Sequence, residues 1–249
     1  MKLLSIDTNA KTSKNTAYGY LTGIQYFAPY NTSGVNLCPM SEKAGCIDSC
    51  LYYSGRGKFQ NVQQARLNRT KLYLNNQAEY FKQLITEIRA LEKKAVRKGL
   101  KPLIRLNGTS DIRWENIGFV FEDIYYRNIF EFFPHIQFMD YTKIPNRYDS
   151  KNGLNDFPSN YDLTFSYSGA PEFQKYNKRA IDKGLRIAVV FDKVETMPIK
   201  FHDREVLNGD DNDLTFTKPK NSILGLYAKG SKGEIQKGID TQFILTKGV

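Results

Sequence analysis

The chain is poor in the residues that most often ligate metals or cross-link a fold. Its 249 residues include three cysteines, two histidines and one tryptophan. All the cysteines, Cys38, Cys46 and Cys50, fall within one short stretch, "CPMSEKAGCIDSC". An odd, tightly grouped set does not make a disulfide framework, and scattered core thiols would not cluster this way. No run of about 18 apolar residues occurs, which excludes a membrane-spanning helix. The opening "MKLLSIDTNAKTSKN" has too short an apolar run for a signal peptide and lacks a small-residue cleavage site. Linkers rich in Pro, Gly or Ser are missing, as are repeats and low-complexity tracts. The expectation is a single α/β domain over residues 1–249, cytoplasmic and with no membrane partner, in a compartment that keeps thiols reduced.

What is present is aromatic and basic. Sixteen Phe and sixteen Tyr within a 41% apolar composition supply a large core. The net charge of +10 is uneven: twelve Lys and Arg between 51 and 101 face only Glu79, Glu87 and Glu92. Such a segment attracts polyanions, nucleic acid among them, or serves as a solvated helix face. Arg56, Lys58, Arg66 and Arg69, just past the cysteines, are candidates for receiving an anionic group.

Periodicity places two helices over 61–98, meeting near 75–77. In the second, Tyr80, Phe81, Leu84, Ile85, Ile88 and Leu91 form an apolar stripe, and Gly99 ends it. Six apolar runs read as strands: 18–28, 103–106, 136–139, 163–167, 185–191 and 222–228. Each closes in a polar cluster, and alternation with helical segments predicts a parallel α/β sheet. The cysteine loop, 36–58, follows the first strand. Residues 141–161 and 192–222 lack a helical period, and the second is expected to be a small β excursion turning at Asn208-Gly209. In parallel sheets the carboxyl ends of the strands collect function.

The thiol spacing is C-x7-C-x3-C. One helical turn would point Cys46 and Cys50 the same way, and Gly45 would let a bound group approach the backbone. A tetrahedral zinc site wants four ligands, so zinc would need His135 or His202 as well. Three thiolates on a 4Fe–4S cluster leave one iron open for substrate or cofactor. Redox or plain thiols are the third reading. Elsewhere Trp114 reads as a core or rim anchor, the histidines as core or surface residues, and Gly209-Asp210-Asp211-Asn212-Asp213 as a solvated turn more than a calcium loop.

A cysteine loop after the first strand, then a helix, then a strand ending in a Gly-containing turn, is similar to the radical S-adenosylmethionine (SAM) enzymes. That resemblance implies an incomplete (β/α)6-type parallel barrel, a 4Fe–4S cluster on Cys38, Cys46 and Cys50, SAM on the open iron and an electron donor. Under it, Asn107, Thr109, Ser110 and Asp111 would hydrogen-bond SAM or substrate, and Lys143, Ser166, Ser168 and Lys229 would line the rim. A closer resemblance covers nearly the whole chain. "NAKTSKNTAYGYLTG", "NLCPMSEKAGCIDSCLYYSGRGKF", "QARLNRTKLY", "RLNGTSDIRWE", "DYTK" and "LYAKGSKG" resemble the mostly phage-encoded gene product 88 family. It implies a phage or mobile-element origin and, with it, the host cytoplasm. The alternative to the enzyme is a metal-stabilised protein that binds nucleic acid or a host protein through its basic helices.

Overall fold

The computed structural model describes residues 1–6, 10–50, 52–147 and 157–246. The strands in order are β1 (Leu4–Ile6), β2 (Tyr20–Gln25), β3 (Lys101–Arg105), β4 (Phe119–Phe121), β5 (Ile124–Tyr126) and β6 (Gln137–Thr142). They continue as β7 (Tyr161–Ser166), β8 (Ile187–Phe191), β9 (Lys200–Phe201), β10 (Arg204–Asn208), β11 (Ile223–Tyr227) and β12 (Ile244–Leu245). The helices are α1 (Ala10–Ala17), α2 (Gln60–Asn75), α3 (Gln77–Arg97), α4 (Ile129–Phe132), α5 (Gln174–Asp182) and α6 (Lys232–Asp240).

The six apolar runs become β2, β3, β6, β7, β8 and β11, and they lie side by side in that sequence order, every neighbouring pair parallel. Runs this apolar suit strands buried on both faces, which is what a sheet flanked by crossover helices requires. The expected barrel does not close. Among the described residues the sheet is open, with β1 antiparallel to β2 on one edge and the β9–β10 hairpin beyond β11 on the other. β12 adds a parallel partner to the end of β8, just past the two residue pairs that join β8 to β7.

Connections explain where the loops emerge. β2 reaches β3 through α2 and α3, while α5 joins β7 to β8. The predicted helix pair meets at Asn76, whose side chain caps α3 by accepting from Glu79 N at 3.1 Å. The whole predicted stripe of α3 is buried, and Gly99 at φ +66 supplies the left-handed turn that ends it. Trp114 is fully buried and stacks on Tyr80 with ring centroids 6.0 Å apart, a core anchor as expected. The 192–222 segment is a β excursion, but its tight turn is His202-Asp203, at φ 50 and 60, and not Asn208-Gly209. Part of the 141–161 crossover lies outside the described residues.

Pairing of β3 with β6 spans only two residue pairs, Leu103 with Gln137 and Ile104 with Phe138. Past it, the buried Asp140 carboxylate takes over, accepting from Leu106 N at 3.3 Å and Asn107 N at 2.9 Å. A side chain thus holds two strands together where the backbone ladder has stopped, and the loop after β3 is anchored to β6.

The α3 stripe is the largest single contributor to this core, so Leu84→Ala should cost about 2–5 kcal/mol of unfolding free energy. Val96→Ala, on the exposed face of the same helix, should stay within about 0.5 kcal/mol. Urea denaturation of the two variants checks the contrast.

Candidate functional site at the carboxyl ends of the strands

The loop after β3 is a closed hydrogen-bonded unit. Asn107 Oδ1 accepts from Ser110 Oγ at 2.8 Å, Ile112 N at 2.9 Å and Trp114 Nε1 at 3.2 Å, while its Nδ2 donates to Ile112 O at 2.9 Å. Thr109 Oγ1 donates to Phe27 O at 2.6 Å. The polar atoms of these three side chains are therefore committed to shaping the loop.

Asp111 ties that loop to the one after β6. Its Oδ1 accepts from Thr142 Oγ1 at 2.8 Å and Arg147 Nη1 at 2.9 Å, and its Oδ2 accepts from Lys143 N at 2.8 Å. The Arg147 side chain is fully buried and also donates to Glu115 at 2.6 and 2.9 Å. Its backbone amide places Asp111 beside the cysteine loop, donating to Leu37 O at 2.8 Å. Asp111 thereby fixes three loops at the same rim, two through its carboxylate and the cysteine loop through its amide.

Lys143 follows β6 directly. Its ammonium donates to Ser166 Oγ, at the end of β7, at 2.8 Å and sits 4.4 Å from the Phe243 ring centroid. Burial lowers its pKa, against the opposing pull of Cys46, Asp111, Cys38 and Cys50. All three thiols thus lie close enough to act on one amine, but would pull on it only as thiolates. They are partly exposed, and burial raises each pKa: Cys38 to about 12, Cys50 to about 11, Cys46 upward as well. At neutral pH they are thiols, poor nucleophiles and poor ligands as they stand.

The iron–sulfur and zinc readings of these cysteines are overturned here. Among the described residues no group of three or more His, Cys, Asp and Glu is arranged to hold a metal ion. The geometry shows why. Cys38 Sγ is turned to Thr109 O at 3.6 Å, Cys46 Sγ to Ser41 O at 3.7 Å, and Cys50 Sγ accepts from Tyr52 N at 3.5 Å. The 46–50 segment is a bend and a single turn and not a helical turn, so the four-residue spacing does not align the sulfurs. With the ligand set goes the radical SAM enzyme, and equally the metal-stabilised binding protein. Gly45, at φ +62, serves an internal contact: a Cβ there would lie 2.7 Å from Thr241 Cβ, and Thr241 Oγ1 donates to Gly45 O at 2.6 Å.

The remaining predicted residues disperse. Ser168 is buried and donates to Ala44 O at 2.7 Å, holding the cysteine loop to β7. Lys229 pairs with Asp210 at 2.5 Å. Asp210 and Asp213 are buried and ion-paired, Asp213 with Arg105, so that acidic stretch is no solvated turn. Lys58 pairs with Glu234 at 3.3 Å and Arg56 is exposed. Arg69 Nε donates to Lys2 O at 2.7 Å, and Arg66 is buried, so the basic run does not present one continuous face. Sequence reasoning missed a cavity of about 320 Å³ beside the rim. Pro39, Met40, Arg113, Ile144, Pro145, Asn146, Tyr176 and Arg179 line it, next in sequence to Cys38 and Lys143.

Raised thiol pKa values mean that folding favours the protonated thiols. Their contribution to stability is complete below the ordinary thiol pKa of about 8.5 and is lost as pH climbs towards 11–12. Denaturation midpoints should therefore fall between about pH 8 and 10, and alanine at Cys38 and Cys50 should flatten the fall. Iodoacetamide at about pH 8 should label both at least tenfold more slowly in the native protein than in urea, read by mass spectrometry.

Comparison with known families gives one match: the gene product 88 family model covers residues 2–247. The chain belongs to that family, the one its long motifs resemble. No curated protein and no solved structure matches it. No helix among the described residues is long and apolar enough to cross a membrane.

Proposed function

We propose that the protein is an enzyme acting on a small anionic molecule at the carboxyl ends of the parallel strands, with Lys143 as its reactive amine. The observation that carries this reading is the state of that amine. It is held by a neutral hydroxyl and an aromatic face, and burial lowers its pKa although Asp111 lies near. The oxygens of Asp111 are already engaged by Thr142, Lys143 N and Arg147, which keeps the carboxylate from a direct ion pair with the ammonium. An amine of lowered pKa is available at neutral pH as a base or nucleophile, and the hydrogen bond to Ser166 Oγ holds it in place.

The substrate class follows from the lining. The cavity beside the rim carries two guanidinium groups, Arg113 and Arg179, among apolar side chains. Its volume falls at the small end of the range for small-molecule sites, and arginine pairs suit carboxylate or phosphate groups. Open α/β sheets bind their ligands outside the carboxyl ends of the strands, which is where Lys143, Ser166 and the thiols gather. For a phage protein the place of action is the host cytoplasm.

NMR titration of side-chain ¹⁵N-labelled lysine tests the reading. Lys143, assigned by its loss in Lys143→Met, should titrate below the exposed lysines. Millimolar citrate, used as the anionic probe, should move that titration upward, because a bound anion favours the ammonium. A Lys143 that titrates with the exposed lysines and ignores citrate would sink the proposal.

A further inference from the structure

A second cation near the thiols has no counter-charge. Arg66, on α2, retains 7% of its accessible surface. Its guanidinium lies between two aromatic rings, 5.0 Å from the Tyr26 centroid and 5.3 Å from that of Tyr52. The groups that act on its charge are Tyr26, Cys50 and Tyr52, none of them a carboxylate. Its Nη1 is buried and has no hydrogen-bond partner among the described residues.

This arrangement is expensive. A buried guanidinium normally meets a carboxylate, and an orphaned donor on it costs the desolvation of a charged group. Stacking between two tyrosines recovers part of that cost through cation–π attraction, but supplies no acceptor. Arg66 Nη1 is one of four such orphaned side-chain atoms among the described residues. Arg69, one helical turn on, spends its Nε on Lys2 O and adds positive potential without adding an acceptor. What the niche lacks is an oxyanion.

We infer that Arg66, clamped between Tyr26 and Tyr52, is an oxyanion-binding subsite that receives a carboxylate or phosphate group of a ligand on its unpartnered Nη1. The subsite stands on its own geometry, whether or not Lys143 is the reacting amine. Cys50 links the two, since the charges of both Arg66 and Lys143 act on its thiol.

The test uses the full-length protein and two probes, inorganic phosphate and acetate, with chloride at matched ionic strength as the control. Calorimetric titration and the thermal midpoint are the readouts. One of the two probes should bind saturably and raise the midpoint, as any ligand selective for the folded state does. Arg66→Lys should weaken that binding by about tenfold or more, the loss expected when a charge-assisted planar donor is removed. Arg66→Met should abolish binding and, in the absence of anion, unfold at a higher temperature than the wild type, because an unpaired buried charge has been replaced by hydrocarbon. Lys143→Met should leave the binding in place, which separates this subsite from the amine. Two results overturn the inference. One is the absence of saturable binding of either probe to the wild type, a measurement that does not depend on any variant folding. The other is binding that survives in Arg66→Lys and Arg66→Met unchanged, which would locate the anion elsewhere on this basic protein.

Discussion

The rim depends on the Asp111 carboxylate. β3 and β6 pair over only two residues, so the loops that follow them have no shared ladder to set their spacing. Asp140 takes over where the ladder stops, and Asp111 carries the join into the loops, accepting from Lys143 N, Thr142 Oγ1 and Arg147 Nη1, while its own amide reaches Leu37 O. Arg147 makes the anchor rigid, since its buried fork also closes on Glu115. Breaking one partner of such a buried set strands a charge, at a cost of about 3–5 kcal/mol. Lys143 is positioned because its backbone is held by Asp111 at one end of the residue and its ammonium by Ser166 at the other. The fold and the chemistry of the site therefore meet in a single side chain.

Much of the architecture was legible because parallel strands buried on both faces leave an unambiguous apolar signature. "LRIAVVF" and the other five runs could scarcely be anything else, and strict sequence order of neighbours is the simplest path between them. The α3 stripe was legible for the same reason. Short elements were not: β1, β4, β5, β9, β10 and β12 have two to five residues each, too few for a period to declare itself. The hairpin turn was misplaced because Asn208-Gly209 carries the stronger turn chemistry, whereas the chain turns at His202-Asp203, two non-glycine residues in the left-handed region. Tertiary contacts made that strain tolerable, and they are invisible in a local reading.

The site was half legible for a related reason. Sequence spacing locates Cys38, Cys46 and Cys50 on one loop but says nothing of where sulfurs point, and each points to a different backbone group. Asn107, Asp111 and Lys143 all follow strand ends that meet, yet spacing could not separate a side chain that builds a loop, such as Asn107, from one whose ammonium meets a hydroxyl and a ring, such as Lys143. Arg66 shows the same limit from the opposite side. A lysine- and arginine-rich segment reads as a solvated face, and α2 has no clear apolar period to reveal that one of its arginines turns inward.

The electrostatics of the rim follow from one imbalance. Burial suppresses charge on every titratable group it touches, but it acts in opposite directions on thiols and on cations. The three thiols respond by keeping their protons, so they contribute no negative charge to offset Lys143 or Arg66. Asp111 is negative but committed to Arg147. Two desolvated cations are thus left facing neutral partners, a hydroxyl for one and two phenol rings for the other. A fold selected for stability alone would place carboxylates there or remove the charges. An anion drawn to Lys143 would in turn favour its protonated form while leaving the thiols protonated. Binding and amine chemistry would then oppose each other at the same residue. The reactive, unprotonated amine would have to be reached by passing its proton to a basic group of the ligand or to water, since the Ser166 hydroxyl at 2.8 Å accepts the hydrogen bond but cannot keep the proton.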